Sequence, residues 1–348
     1  MSEKQVSRKK FIPTFTVNKL VTEGRAFIAL AVIVIVFTSL SPHYLTFSNV
    51  VVMTRHVGLN ALLSIGMLLV ILTAGIDLSV GSTVGLSGVL AGYMLMQGIQ
   101  IPGTSTVLYP SVWVIVIICL AFGALVGIIN GILITRFKVA PFITTLGTLY
   151  AVRGTALLIA KGETFNDMTG KPDLGNTGFS VLGLGKFLGL PTGVWVMIIV
   201  GLITSLLLTR TVFGRWLYAL GGNERAAALS GVPIKKVKIW VYTLSGICAA
   251  ATGLIIASEL TAGAPQTGQS FELNAIAAVV IGGAALSGGR GHIRGTLLGA
   301  FVIGFLGDGL VIVGVSSFWQ MVIQGIVIIL AVALDEAQQS SKKKQKTK

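Results

Sequence analysis

The sequence predicts an all-α polytopic membrane protein with about ten transmembrane helices and both termini in the cytoplasm. Three observations lead there. First, of 348 residues 53% are hydrophobic and only 11% charged, with a mean hydropathy of +0.88, whereas soluble domains carry about 25% charged residues. A chain so poor in charge cannot cover a water-facing surface, which excludes an ordinary soluble enzyme and a disordered chain. Second, the apolar stretches are continuous rather than alternating, which selects helices over a barrel. Third, the chain holds 44 glycines, well above the usual ~7%, and small residues let helices approach closely in lipid.

A spanning helix needs about 20 mostly apolar residues. Ten segments qualify: 26–40, 57–74, 80–97, 112–134, 141–160, 193–209, 239–258, 273–287, 295–315 and 318–334. Segment 26–40 is short and must borrow flanking residues. Segment 273–287, rich in Ala and Gly, fits a broken or re-entrant helix as well as a full span. A signal peptide competes for Ala26–Leu40, but the polar, basic stretch before it is long, and no small-x-small cleavage site follows Leu40. The segment therefore reads as an uncleaved first span. Residues 1–25 form a cytoplasmic tail, 26–334 one transmembrane domain, and 335–348 a second, basic tail.

Orientation follows from Lys and Arg, which collect on the cytoplasmic side. With the N-terminus inside, the inner segments hold 21 of the 26 basic residues. The outer segments hold Arg55, Lys161, Lys171 and Lys186, and Arg153 lies within a span. The five tryptophans agree: Trp113, Trp195 and Trp319 open spans on the outer side, and Trp216 and Trp240 flank an inner loop, all where amphipathic rings favour the interface. The same loops account for the net charge of +14, so the partner it implies is membrane lipid and not nucleic acid.

Gly123, Gly127 and Gly131 make two overlapping GxxxG patterns, and Gly81/Gly85, Gly88/Gly92 and Gly295/Gly299 repeat the spacing. Residues four apart share a helix face, so these pairs read as packing grooves. The glycine-rich run Gly282–Gly291 resembles a phosphate loop, but no GxxxxGK[ST] occurs anywhere, and an Ala-rich membrane segment offers no strand–turn–helix unit. No cofactor or nucleotide site is expected. Cys119 and Cys248 lie in apolar runs and suggest neither a disulfide nor a metal site, and His43, His56 and His292 are scattered over both sides. No catalytic constellation stands out, so an enzyme is not expected.

The most informative stretch is the long cytoplasmic loop 210–238. Within it Gly222, Asn223, Glu224, Arg225, Ala226, Ala227, Ala228, Leu229, Ser230 and Gly231 read as a short helix. Asn223 is the N-cap, Glu224 suits the positive end of the helix, and Gly231 followed by Pro233 stops it. Such a helix either docks on a cytoplasmic partner or lies on the lipid headgroups. Polar groups at membrane depth are costly and often functional. Asp77 with Ser79, Asn130, Arg153 and Asp308 are of this kind. Asp77 is better explained as an N-cap of the third span; Arg153 and Asp308 either face a pathway or snorkel. On the outer side, Glu259 and Glu272, with Asp167 and Asp173, form an acidic surface that either docks a partner or is merely solvated.

These residues make a resemblance visible. Ala74–Ser82 (AGIDLSVGS), Phe213–Glu224 (FGRWLYALGGNE), Leu229–Val232 (LSGV), Glu272–Gly283 (ELNAIAAVVIGG), Leu286–Gly291 (LSGGRG), Gly314–Ser317 (GVSS) and Gln320 occur in order. The chain from about 25 to 334 resembles the permease subunit of bacterial ABC sugar importers of the ribose type. The resemblance implies a single permease domain over 26–334 in the cytoplasmic (inner) membrane, and a second permease subunit, either a copy or a paralogue. It also implies a separate cytoplasmic ATPase, a periplasmic or lipoprotein sugar-binding protein, and a coupling role for loop 210–238, tipping the 223–230 helix towards docking on the ATPase. A branched-chain amino-acid permease of the related family and an ion-coupled secondary transporter are the competing readings; the wording GIDLSVGS and LSGGRG favours sugar.

Overall fold

The structure is a computed structural model that describes residues 17–346, with side chains from residue 24 to 333 apart from those of Arg25 and Ala331. The tail expected over 1–25 lies outside the described residues as far as position 16, as do the side chains of the basic tail at 335–348. The chain runs through α1 (Val17–Leu40), α2 (Phe47–Leu72), α3 (Val80–Met96), α4 (Val112–Arg136), α5 (Pro141–Ala160), the single turn α6 (Val181–Leu184) and α7 (Thr192–Arg210). It continues through α8 (Val212–Gly222), α9 (Glu224–Leu229), α10 (Ile234–Leu260), α11 (Phe271–Ile281), α12 (Ile293–Ile312) and α13 (Ser317–Lys346).

Six helices, α2, α4, α5, α7, α10 and α12, are long and apolar enough to cross a membrane. The apolar part of α1 from Ala26, together with α3, α11 and Ser317–Leu330 of α13, is shorter. The ten segments read from the sequence all fall on these helices, with four differences, the largest being that α2 begins at Phe47 and not at 57. The first helix begins at Val17, not 26, and so gains the flank it needed. Segment 273–287 is helical only to Ile281; at 1.5 Å per residue α11 reaches about 17 Å, short of the ~30 Å hydrocarbon core. Loop 210–238 carries two helices, because Val212–Gly222 forms α8 ahead of the expected one.

α2 and α10 form the centre: 83% and 72% of their apolar windows are buried, against 22% for α5. From Ala61 to Leu72 every residue of α2 is buried, as befits a helix that is hydrophobic all round. Arg55 meets Glu259, Gly66 meets Ser245 and Cys248, and Gly75 meets Tyr242, so α2 and α10 run antiparallel. Around them the contacts repeat. α10 packs on α3 and α4 as α2 packs on α11 and α12, and α3 meets α5 as α11 meets α13. The segments α2–α5 and α10–α13 are therefore two inverted copies of one arrangement, a common plan for membrane transporters.

The GxxxG faces make these approaches possible. A Cβ at Gly123 would overlap the Gly246 carbonyl, one at Gly127 the Tyr242 carbonyl, and one at Gly131 would press on the Ile239 backbone, so α4 lies directly on α10. Gly295 and Gly299 seat α12 in the same way on Gly282 and Ala278 at the end of α11. Cys119 and Cys248 are both buried. Short two-stranded pairings, including Phe165–Asn166 with Ala262–Gly263, close the connections at the Glu259 end.

Gly127→Leu should therefore prise α4 from α10, an overpacking cost of about 1–3 kcal/mol or more, and sharply lower the yield of monodisperse permease on fluorescence-detected gel filtration. Gly147→Ala, where a Cβ meets nothing within 4 Å, should leave that yield unchanged.

Candidate functional site

The segment 210–238 is built to be rigid. Thr211 caps α8, its hydroxyl accepting from Gly214 N–H at 3.3 Å. Asn223 ends α8 and caps α9, its Oδ1 accepting from Ala226 N–H at 3.0 Å. Gly231 has φ +83°, a conformation that side chains with a Cβ resist. It lets Gly231 N–H reach Ala228 O and Val232 N–H reach Ala227 O, both at 3.0 Å, which is the double bond pattern of a Schellman stop. Lys238 Nζ bridges both Glu224 oxygens at 2.8 and 2.9 Å, tying α9 to α10. The helix spans Glu224–Leu229 with Asn223 and Ser230 as its caps.

Its faces are not those expected. Ala227, taken from the sequence as part of the docking surface, is only 4% exposed and turns inward. Leu229 is 91% exposed, and Arg225, Ala226, Ala228 and Ser230 are exposed with it. An apolar side chain left so bare at a helix end marks the outward face.

α8 carries α9 onto the membrane helices. Leu217 and Leu220 are buried in the main core. A Cβ at Gly221 would overlap both the Leu72 carbonyl and the Gly289 amide. Gly289 N–H donates to Leu72 O at 3.0 Å, so the turn Leu286–Gly291 satisfies a carbonyl left over at the end of α2. Gly288 and Gly289, at φ +85° and +71°, are the residues that permit this turn. Tyr218 OH donates to Gly291 O at 2.8 Å, and burial pushes its phenol above the usual tyrosine range. The last turn of α8 is thus wedged between the end of α2 and the break between α11 and α12.

Asp77, Ser79 and Asn130 come together in one buried chain of hydrogen bonds. Asp77 Oδ1 accepts from Ser79 N–H at 3.1 Å and Ser79 Oγ at 2.6 Å; its Oδ2 accepts from Ser245 Oγ of α10 at 2.9 Å. Asn130 of α4 donates from Nδ2 to Ser79 Oγ at 2.9 Å and accepts from Thr148 Oγ1 of α5 at 2.6 Å. Asp77 accepts an amide at the start of α3, as expected of an N-cap, while Ser79, the residue just before the assigned helix, makes no side-chain cap bond. The second Asp77 oxygen joins this end of α3 to α10. Buried polar groups of this kind must be hydrogen-bonded, and these are. Ser245 and Thr148 gave no sign in the sequence, lying in apolar or mixed runs without a motif.

The remaining charged residues are dispersed. Arg153 of α5 donates to the carbonyls of Pro265 and of Thr267, the latter at 2.9 Å, in the loop between α10 and α11. Glu259, expected on an exposed docking surface, is 2.9 Å from Arg55 and largely covered. Glu272, its expected companion, is half-buried with its carboxylate against Gly81 of α3. Both acids are therefore fixed within the bundle. Asp308 Oδ1 sits 2.8 Å from His56 Nδ1 on the wall of a cavity between α2, α11, α12 and α13, and its Oδ2 is buried without a hydrogen-bond partner among the described residues.

Inverted helical repeats around two buried central helices, with a capped helix standing off one end, are the build of a membrane permease. Residues 49–332 match the family described as "Branched-chain amino acid transport system / permease component", and the chain belongs to that family. It is 41% identical over 318 residues to the ribose import permease protein RbsC of Escherichia coli (strain K12), covering 91% of this chain and 94% of that one. It is 44% identical over 310 residues to the ribose import permease protein RbsC of Bacillus subtilis (strain 168), covering 89% and 91%. Identity to the L-arabinose transport system permease protein AraH of Escherichia coli (strain K12) is 32% over 330 residues, covering 95% of each. No solved structure matches the chain. The protein is a multi-pass protein of the bacterial inner membrane.

Ser245→Ala would leave Asp77 Oδ2 without its donor. The expected loss is about 1–3 kcal/mol, read as a lower melting temperature of the detergent-solubilised protein by tryptophan fluorescence. An unchanged melting temperature would show that this bond contributes nothing.

Proposed function

We propose that the chain is the transmembrane permease subunit of an ATP-binding-cassette importer, translocating a sugar of the ribose-like monosaccharide class delivered by a binding protein. The observation that carries this is identity of 32–44% over about nine-tenths of the chain or more to permeases named for ribose and arabinose. The structural support is a rigid cytoplasmic helix seated, through α8, on the inner ends of the core helices. The chain crosses the membrane ten times, the eighth crossing made by α11 together with the non-helical residues beside it, and both termini lie in the cytoplasm. It hydrolyses nothing itself. A separate ATPase subunit supplies the energy, a second permease subunit completes the pathway, and a periplasmic or lipoprotein sugar-binding protein docks outside. With Glu259 and Glu272 engaged inside the bundle, the outer docking role passes to the exposed Asp167 and Asp173.

In this reading motion enters at α9. A floppy loop would absorb the displacement of the ATPase, and a helix of six residues is marginal alone. Its caps, the Glu224–Lys238 pair and the buried Ala227 give it the stiffness to transmit. From α9 the push passes along α8 to Gly221, and from there to α2 and to the Gly289 turn before α12. Reorienting these helices opens the bundle to one side and then the other.

The test is to purify the complex with its ATPase and binding protein and to measure ATP hydrolysis with a panel of pentoses, hexoses and branched-chain amino acids. A sugar on its binding protein should stimulate hydrolysis; stimulation by leucine or valine instead would select the amino-acid reading favoured by the family description. Leu229→Asp should reach the membrane yet lose ATPase co-purification or stimulated hydrolysis by at least tenfold. Normal transport by that variant would mean that α9 lies on lipid.

Topology is checked by single cysteines. In a background lacking Cys119 and Cys248, cysteines at Asp173 and Lys236, both exposed, should label from opposite faces of the membrane. Labelling from one face would refute the ten-crossing arrangement.

A further inference from the structure

The cavity bearing Asp308 has a volume of about 240 Å³, below the ~300–1,000 Å³ typical of sites for drug-sized ligands. Its polar wall comes from all four surrounding helices: His56 and Asn60 from α2, Asn274 from α11, Asp308 from α12, and Gln320 and Gln324 from α13. Polar side chains within apolar helices are costly unless something engages them. Gln320 donates to Val315 O at 2.8 Å, and His56 pairs with Asp308. Among the described residues no hydrogen bond engages the side chains of Asn60, Asn274 or Gln324. Three carboxamides therefore face the same space with their bonding capacity free.

The donor set selects a ligand class. A carboxamide both donates and accepts, and so does a sugar hydroxyl, so each can engage the other in either sense. Asp308 accepts from hydroxyls, and the Phe271 ring supplies an apolar surface for the C–H face of a sugar ring. Among the described residues no Lys or Arg lines the cavity, and the His56 ring is already engaged by Asp308, so the carboxylate of an amino acid would be desolvated without a free counter-charge. We propose that this cavity is a sugar-binding site of the permease itself, in which Asn60, Asn274 and Gln324, with the His56–Asp308 pair, exchange hydrogen bonds with the hydroxyls of one monosaccharide in transit. The proposal rests on the sugar-permease reading. It adds selectivity within the membrane to whatever the binding protein provides. Neutral amides bind hydroxyls weakly enough to release them, which a site on a pathway requires.

Gly307 offers a direct probe. A Cβ there meets only Gln324 Nε2, at 3.8 Å, so Gly307→Leu fills the cavity without pressing on backbone. The experiment reconstitutes the whole importer in proteoliposomes and measures uptake of a radiolabelled pentose and a radiolabelled hexose, alongside ATP hydrolysis stimulated by the loaded binding protein. Gly307→Leu, Asn274→Ala and Gln324→Ala should each lower uptake at least tenfold, with stimulated hydrolysis within twofold of the unmodified importer. The two alanine variants should also change the ratio of pentose to hexose uptake. Gly325→Ala on the same helix, where a Cβ meets nothing within 4 Å, should transport normally. Uptake within twofold in all three cavity variants would overturn the proposal. So would parallel loss of uptake and hydrolysis in all three, since that marks a structural role. An unmodified importer that takes up no sugar would instead refute the permease reading on which the proposal rests.

Discussion

The joining of α8, α11 and α12 to the core depends on how α2 is allowed to stop. In a membrane no water waits to satisfy a helix terminus, so each leftover carbonyl needs a partner from the chain. Leu72 O finds Gly289 N–H, more than 200 residues away in sequence. That bond needs a turn whose residues sit at positive φ, which Gly288 and Gly289 provide. It also needs Gly221, because a side chain there would occupy the same space. One capping requirement thus brings the end of α2, the break after α11 and the last turn of α8 to a single point. α9 is connected to the membrane core through that point.

The break between α2 and α3 is secured on its other side by Asp77. A carboxylate enclosed by hydroxyl and amide donors from Ser79 and Ser245, with Asn130 and Thr148 behind, fixes where α3 starts relative to α4, α5 and α10. Apolar packing alone would leave helices free to slide, since lipid is as apolar as leucine. Glycine faces decide how near α4 and α12 approach their neighbours, and the polar chain fixes the register of α3. The glycine faces act in both copies of the inverted repeat, on α4 and on α12, whereas this polar chain fastens α3 to α4, α5 and α10.

The half of the bundle at the Glu259 end is looser in its chemistry. Arg55 with Glu259, Arg153 with two loop carbonyls, and His56 with Asp308 each tie together segments remote in sequence. The last of these borders a cavity, where three amides and Asp308 Oδ2 are left free among the described residues. A bundle meant to pass a neutral, hydroxyl-rich solute can supply polarity in this way without trapping it.

The sequence by itself determined the membrane class, the positions of the apolar helices, the packing role of the GxxxG faces and the caps of the 224–229 helix. These are local properties: hydropathy, a four-residue spacing and an Asn or Gly at the right place act within one or two turns. The resemblance carried by AGIDLSVGS and LSGGRG pointed to the family for the same reason. Only the tertiary structure decided which side chains meet. Ala227 turns inward although nothing in a run of three alanines singles one of them out, Glu259 is claimed by an arginine 204 positions earlier, and Asp77 bonds to a serine 168 positions later. The amides of the cavity come from three helices spread between residues 60 and 324. Such partners are fixed by the folding of two inverted repeats onto each other, and no window along the chain contains both members of a pair.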